Sequence, residues 1–267
     1  MGKVIAIANQ KGGVGKTTTC VNLAASMAAT KRKVLVIDLD PQGNATMASG
    51  VDKYQVASTA YELLVDELPV EQVVERETSG GYHLIAGNGD VTAAEIKLME
   101  FFAREVRLRN ALAPVRDYYD YVFIDCPPSL NLLTVNAMSA ADSVLVPMQC
   151  EYFALEGLTA LVDTISKLAA VVNPELHIEG ILRTMFDHRN RLANEVSDQL
   201  KAHFGDKVYR TVIPRNVRLA EAPSFGTPAM YYDKSSVGAK SYLALAGEIL
   251  RRAELELDSP ENSEQTA

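Results

Sequence analysis

VIAIANQKGGVGKTTTCVNLAASMAA, residues 4–29, sets an apolar run of strand length before a glycine-rich turn and a segment of helical period. A strand over 4–8 and a helix from Thr17 to Ala29 are expected, joined by KGGVGKTT at 11–18. Gly12, Gly13 and Gly15 permit backbone dihedrals closed to residues with a Cβ. The N–H groups from Lys11 through Thr18, Val14 included, can then converge on phosphate oxygens, and the helix adds its positive end. In such a loop Lys16 faces the β and γ phosphates, the Thr17 hydroxyl ligates Mg²⁺ and Thr18 reaches the α phosphate, so the implied ligand is ATP with Mg²⁺. A glycine-rich turn that binds nothing is the competing reading. It is disfavoured by GKT standing at a helix start directly after a buried strand.

Outward from this stretch, short β-branched runs recur at 34–38, 82–86, 121–125, 143–147 and 177–182. They alternate with helical candidates at 93–112, 154–172, 191–204 and 237–255. This alternation predicts an α/β fold, a mostly parallel twisted sheet with helices on both faces, and the continuous apolar runs VLVI and YVFI fit strands covered from both sides. One domain is expected over 1–256, followed by a disordered acidic tail at 257–267. Cys20, Cys126 and Cys150 form no CxxC pair and suggest neither zinc nor disulfides, so a reducing cytoplasm is expected, with no export signal and no membrane span. Net charge is −8, but residues 183–218 hold eight Lys or Arg against four acids, so that segment is +4 and the remainder −12.

Two further strand ends carry acids. DLDPQGNAT, Asp38 to Thr46, closes one apolar run with Asp38 and Asp40, and YVFIDCPPS closes another with Asp125. Ligands gather at such ends in open α/β sheets. Asp125 has the Walker B arrangement, a buried strand delivering a carboxylate to the Mg²⁺ sphere, commonly through water. Asp38 and Asp40 could instead cap a turn before Pro41 and Gly43. Cys126 beside Asp125 is read as small packing.

The generic loop pattern wants glycine where Gln10 stands, and this chain places Lys11 beside Gly12 and Gly13. That deviant form resembles the ParA and MinD superfamily. DLDPQGNAT, FIDCPPS, VPMQCEYFALEGL at 146–158 and IPRNVRLAEAPSFG at 213–226 follow in the order and spacing of the ParA/Soj partitioning ATPases, chromosomal Soj-like type. The resemblance implies a P-loop ATPase of slow basal rate that forms an ATP-sandwiched homodimer, with Lys11 reaching the partner's nucleotide, Asp40 near the attacking water and Asp38 near the magnesium shell. It also implies that Pro214 and Asn216 line the adenine. The dimer would bind nonspecific double-stranded DNA on the nucleoid through Arg189 and Arg218, with Arg215 and Lys207 next, and a ParB-like centromere-binding partner would trigger hydrolysis in chromosome or plasmid partition. A solvated polar face is the other reading of those cations. A MinD-like membrane switch is the rival function, but RRAELELDSPENSEQTA lacks the basic amphipathic end it needs. A non-catalytic nucleotide-binding scaffold is disfavoured by the joint presence of Lys11, Lys16, Thr17, Asp40 and Asp125.

Overall fold

A computed structural model describes residues 2–257. In chain order the elements are β1 (Lys3–Ile7), α1 (Lys16–Ala29), β2 (Val34–Asp38), α2 (Asn44–Ala48), α3 (Ala60–Leu64), α4 (Val70–Val73), β3 (Val74–Glu75) and β4 (His83–Ile85). Then come α5 (Asp90–Leu98), α6 (Arg107–Leu112), β5 (Tyr121–Asp125), α7 (Leu132–Ala140), β6 (Ser143–Met148), α8 (Ala154–Val171) and β7 (His177–Phe186). The chain continues with α9 (Arg191–Phe204), β8 (Val208–Pro214), α10 (Val217–Glu221), α11 (Ala229–Tyr232) and α12 (Val237–Leu257).

The strands form one sheet in the order β3-β4-β2-β5-β1-β6-β7-β8, parallel except for the short antiparallel β3. Period-two alternation splits the core between its faces. Val4, Ala6, Val122 and Ile124 point into one cluster with Leu133, Leu158 and Leu161 of α7 and α8. Ile5, Ile7, Tyr121 and Phe123 point into the other with Leu23 of α1 and Tyr242 and Leu245 of α12. Both faces are therefore dry, which is why these strands read as unbroken apolar runs. Because the central strands are parallel, their C-terminal ends share one edge, and β1, β2 and β5 deliver the phosphate loop, Asp38 and Asp125 to it.

Three expectations need correction. The helix read over 93–112 is broken: α5 stops at Leu98, Ala103 takes a left-handed φ of 52°, and a 3-10 turn at Arg104–Val106 precedes α6. Phe102, in this break, is 97% exposed. The break is held by Asn136, which donates to the Arg104 carbonyl at 2.8 Å and accepts from the Leu108 N–H at 3.2 Å. The strand read over 177–182 runs on to Phe186, because Arg183 is buried and donates to Ser197 Oγ and the Tyr209 carbonyl. Strand β3 and the body of β8 carried no clear sequence signal. Helix α12 includes Leu257, where the tail was expected to begin, and residues 258–267 lie outside the described residues. Among the described residues no helix is long and apolar enough to cross a membrane.

Candidate nucleotide site

Between the end of β1 and the start of α1, Gly13 and Gly15 take φ of 72° and 88°, values that favour glycine. A Cβ built on Gly12 or Gly13 would meet nothing within 4 Å, so the loop bounds an open concavity rather than packed protein. Its carbonyls are held from behind: Thr184 on β7 donates to Val14 O at 2.7 Å, and Gln149, just past β6, donates to Gly13 O at 3.1 Å. Lys16 is buried, and among the described residues its ammonium makes a single long hydrogen bond, 3.3 Å to Lys11 O. Burial lowers its pKa, against the opposing pull of Asp125, Cys126 and Asp40. An ammonium has three donors, so this one is under-bonded and suited to an incoming anion.

Thr17 donates to Asp125 Oδ2 at 2.7 Å, while Asp125 Oδ1 is buried with no hydrogen-bond partner among the described residues. Burial and the neighbouring Asp38 raise the Asp125 pKa well above the usual carboxylate range. A buried carboxylate oxygen lacking a donor fits a cation, and a hydroxyl beside it completes the kind of sparse oxygen set that Mg²⁺ takes from protein. The residues present thus fit a magnesium ion held by Thr17 and Asp125. Cys126 is fully buried with its thiol pKa pushed up by burial, which agrees with packing.

Asp38 lies opposite Asp125 in the β2–β5 register, yet its oxygens are engaged otherwise. Oδ2 accepts from the N–H and hydroxyl of Thr46, both at 2.8 Å, and Oδ1 accepts from the Asp40 N–H at 3.2 Å. Thr46 Oγ1 in turn accepts from the Gly87 N–H at 2.8 Å. The structure gives Asp38 the turn-capping contacts left open above. Burial raises the Asp38 pKa to about 6, less than it would without the Thr46 bonds. Asp40 is half-buried, and its Oδ1 accepts from the Gln42 N–H at 3.0 Å.

Lys11 is half-exposed and forms an ion pair with Glu151, which lies in the 146–158 segment and carries no motif of its own along the chain. Pro214 ends β8 on the same edge. Asn216, two residues on, keeps a buried Oδ1 with no partner, an acceptor suited to an amino group. The expected DNA cations separate. Arg189 follows β7 and is 91% exposed but forked onto Asp187 at 3.0 and 2.9 Å. Arg218 pairs with Glu221 at 2.8 Å and Asp233 at 3.4 Å, and Arg215 is exposed without a side-chain partner among the described residues. These three follow strand ends on the nucleotide edge. Lys207 precedes β8 and so lies at the opposite edge, roughly 20 Å away at the usual rise per residue. The +4 segment is also less free than its composition implied, since Arg183 is buried and Arg191 and Lys201 pair with Glu195 and Asp198.

A family model described as an AAA domain matches residues 2–178. The chain is 51% identical to the sporulation initiation inhibitor protein Soj of Bacillus subtilis, covering 93% of this chain and 98% of that protein. It is equally 51% identical to the chromosome partitioning protein ParA of Caulobacter vibrioides, covering 94% of each. Among solved structures it is similar to a cobyrinic acid a,c-diamide synthase from Mycobacterium smegmatis with bound ATP analog and magnesium, with TM-score 0.83, 34% identity and coverage of 95% and 96%.

Proposed function

Since the chain belongs to the ParA/Soj family of chromosome-partitioning ATPases, we propose that it hydrolyses ATP as a dimerisation switch that binds nonspecific duplex DNA and answers to a ParB-like partner. The observation that carries the nucleotide half is the pairing of an under-bonded Lys16 with the orphaned Asp125 Oδ1 in front of an open glycine loop.

The loop N–H groups and Lys16 bind the phosphates, and Thr17 and Asp125 hold magnesium, which when bound offsets negative charge on the phosphate oxygens. Asp40 orients the attacking water at the cavity rim, while Asp38 fixes the 38–46 loop that carries it. Pro214 packs on the base and Asn216 Oδ1 accepts from its amino group. Lys11 leaves Glu151 to reach the nucleotide of the second protomer, adding the cation that each site lacks alone. Residues 2–257 act as one unit. Arg189, Arg215 and Arg218, repeated across the dimer, contact backbone phosphates without sequence preference. Doubling the contacts on one duplex makes binding depend on ATP.

The test is an electrophoretic shift on unrelated duplexes with ATP, ADP and no nucleotide, alongside flotation with anionic liposomes. A shift strengthened by ATP and weakened by salt is expected, and recruitment to liposomes instead would replace this reading with a membrane switch.

A further inference from the structure

An open groove of 1640 Å³ lies between β8 and α12, lined by neither strand β1 nor the glycine loop at 11–18 among the described residues. Lys207 and Arg210 stand on its strand side, and Lys240 and Arg251 on its helix side. All four are exposed, and among the described residues none has a side-chain hydrogen bond or ion pair. The acids of the groove are mostly spent. Glu179 is held by Lys3 at 2.9 Å and by Ser143 at 2.7 Å, and Glu248 by Arg252 at 2.8 Å. Asp206, beside Lys207, is the exception.

From this we infer that the β8–α12 groove is a second polyanion site, which takes the phosphate backbone of nucleic acid along the strand. The inference rests on the DNA-binding reading above and extends it to a surface that each protomer carries alone. Spacing supports it: Lys240 and Arg251 are eleven residues apart, so they share one helix face about 16 Å apart. At about 3.4 Å of rise per phosphate along one strand, that interval spans some five phosphates.

An added peptide strand fits less well, although β8 is an edge strand. Glu248 already accepts from the Arg210 and Thr211 N–H groups at 2.8 and 2.9 Å, and Arg252 donates to Val208 O at 3.4 Å. With those backbone groups consumed, the edge is closed to strand addition and the free side-chain cations are what remains for recognition. The site also explains Lys207, which cannot join Arg189 and Arg218 on the nucleotide edge.

The experiment is fluorescence anisotropy of a labelled random duplex with the full chain, without nucleotide and with ATP, across roughly 50–200 mM salt. Lys240→Glu/Arg251→Glu should weaken binding about tenfold or more in both states, with the salt slope smaller by about two, one for each lost cation. Lys240→Gln/Arg251→Gln should do so to a lesser degree, and unchanged ATP binding and circular dichroism verify folding. Unchanged affinity and slope in both double variants would overturn the groove. Displacement of the duplex by poly-glutamate at equal charge would do so too, pointing to an acidic protein instead. If Arg189→Glu and Arg218→Glu abolish binding while the groove variants leave affinity and salt slope unchanged, the groove fails and the proposed function stands. If the wild-type chain binds no duplex with ATP, both fail.

Discussion

Asp125 and Asp38 end adjacent strands in direct register, are equally buried, and are the same residue type, yet they do different work. Asp125 has one oxygen on Thr17 and the other on nothing, while Asp38 has both oxygens on the loop that follows it. One strand end is left incomplete among the described residues, at a cost in stability, and under the proposed function a ligand completes it. The other is completed by its own chain and holds a loop in place. The difference lies in what packs beyond each strand: the head of α1 for Asp125, and α2 with Gly87 for Asp38.

The largest effect should come from emptying the incomplete side. Lys16→Ala removes a cation whose bonds to phosphate are each worth about 1.5–3 kcal/mol, so ATP affinity should fall at least about 100-fold. A fluorescent-nucleotide titration reads this directly, and near-normal affinity would show that the loop backbone alone suffices.

Asp125→Asn sharpens the contrast. Replacing the charge removes an unpaired buried carboxylate, so the nucleotide-free protein should melt at the same or a higher temperature while magnesium-dependent tightening of ATP is lost. Asp38→Asn should behave in reverse. Its amide cannot accept from Thr46 twice and from Asp40 as well, so stability should fall by about 1–3 kcal/mol with ATP affinity less affected. If the two variants melt alike, the two strand ends are equivalent after all.

The pH dependence follows from the Asp38 shift. Its folded pKa is raised from 3.8 to about 6, so the folded state resists ionisation that the unfolded chain undergoes freely. Stability from this group is full below about pH 4, declines through about pH 6 and is level above it, a total of roughly 2–3 kcal/mol. The stability lead of wild type over Asp38→Asn should therefore shrink across that window in denaturant titrations. A lead that widens with pH would mean that Asp38 is held charged.

The smallest structural effect belongs to Asp40→Ala, since the side chain is half-buried and caps one N–H. Melting should change by about 1 kcal/mol or less, while ATP-loaded dimers persist in size-exclusion chromatography because hydrolysis stalls. Wild-type turnover would place Asp40 with Asp38 as a purely structural cap.

Much of this was legible in the chain. VLVID and YVFID end where β2 and β5 end, because a parallel strand covered on both faces must be apolar until it reaches the polar edge. The phosphate loop was legible because its function needs glycine dihedrals and a lysine at fixed spacing, both local properties. The broken helix at 99–106 was not, since Asn136 holds it from thirty residues away. Nor was the buried role of Arg183, a cation that composition counts as surface charge.

The sequence by itself determined the alternation of strands and helices, the nucleotide loop and the family, all of which follow from local geometry and spacing. Only the tertiary structure decided which strand-end acid is left incomplete, that Glu151 holds Lys11, that Lys207 parts from Arg189 and Arg218, and that Lys207, Arg210, Lys240 and Arg251 line one groove between β8 and α12. The physical reason is that hydrogen-bond saturation and ion pairing depend on which distant groups arrive within reach, and no residue pattern along the chain encodes that distance.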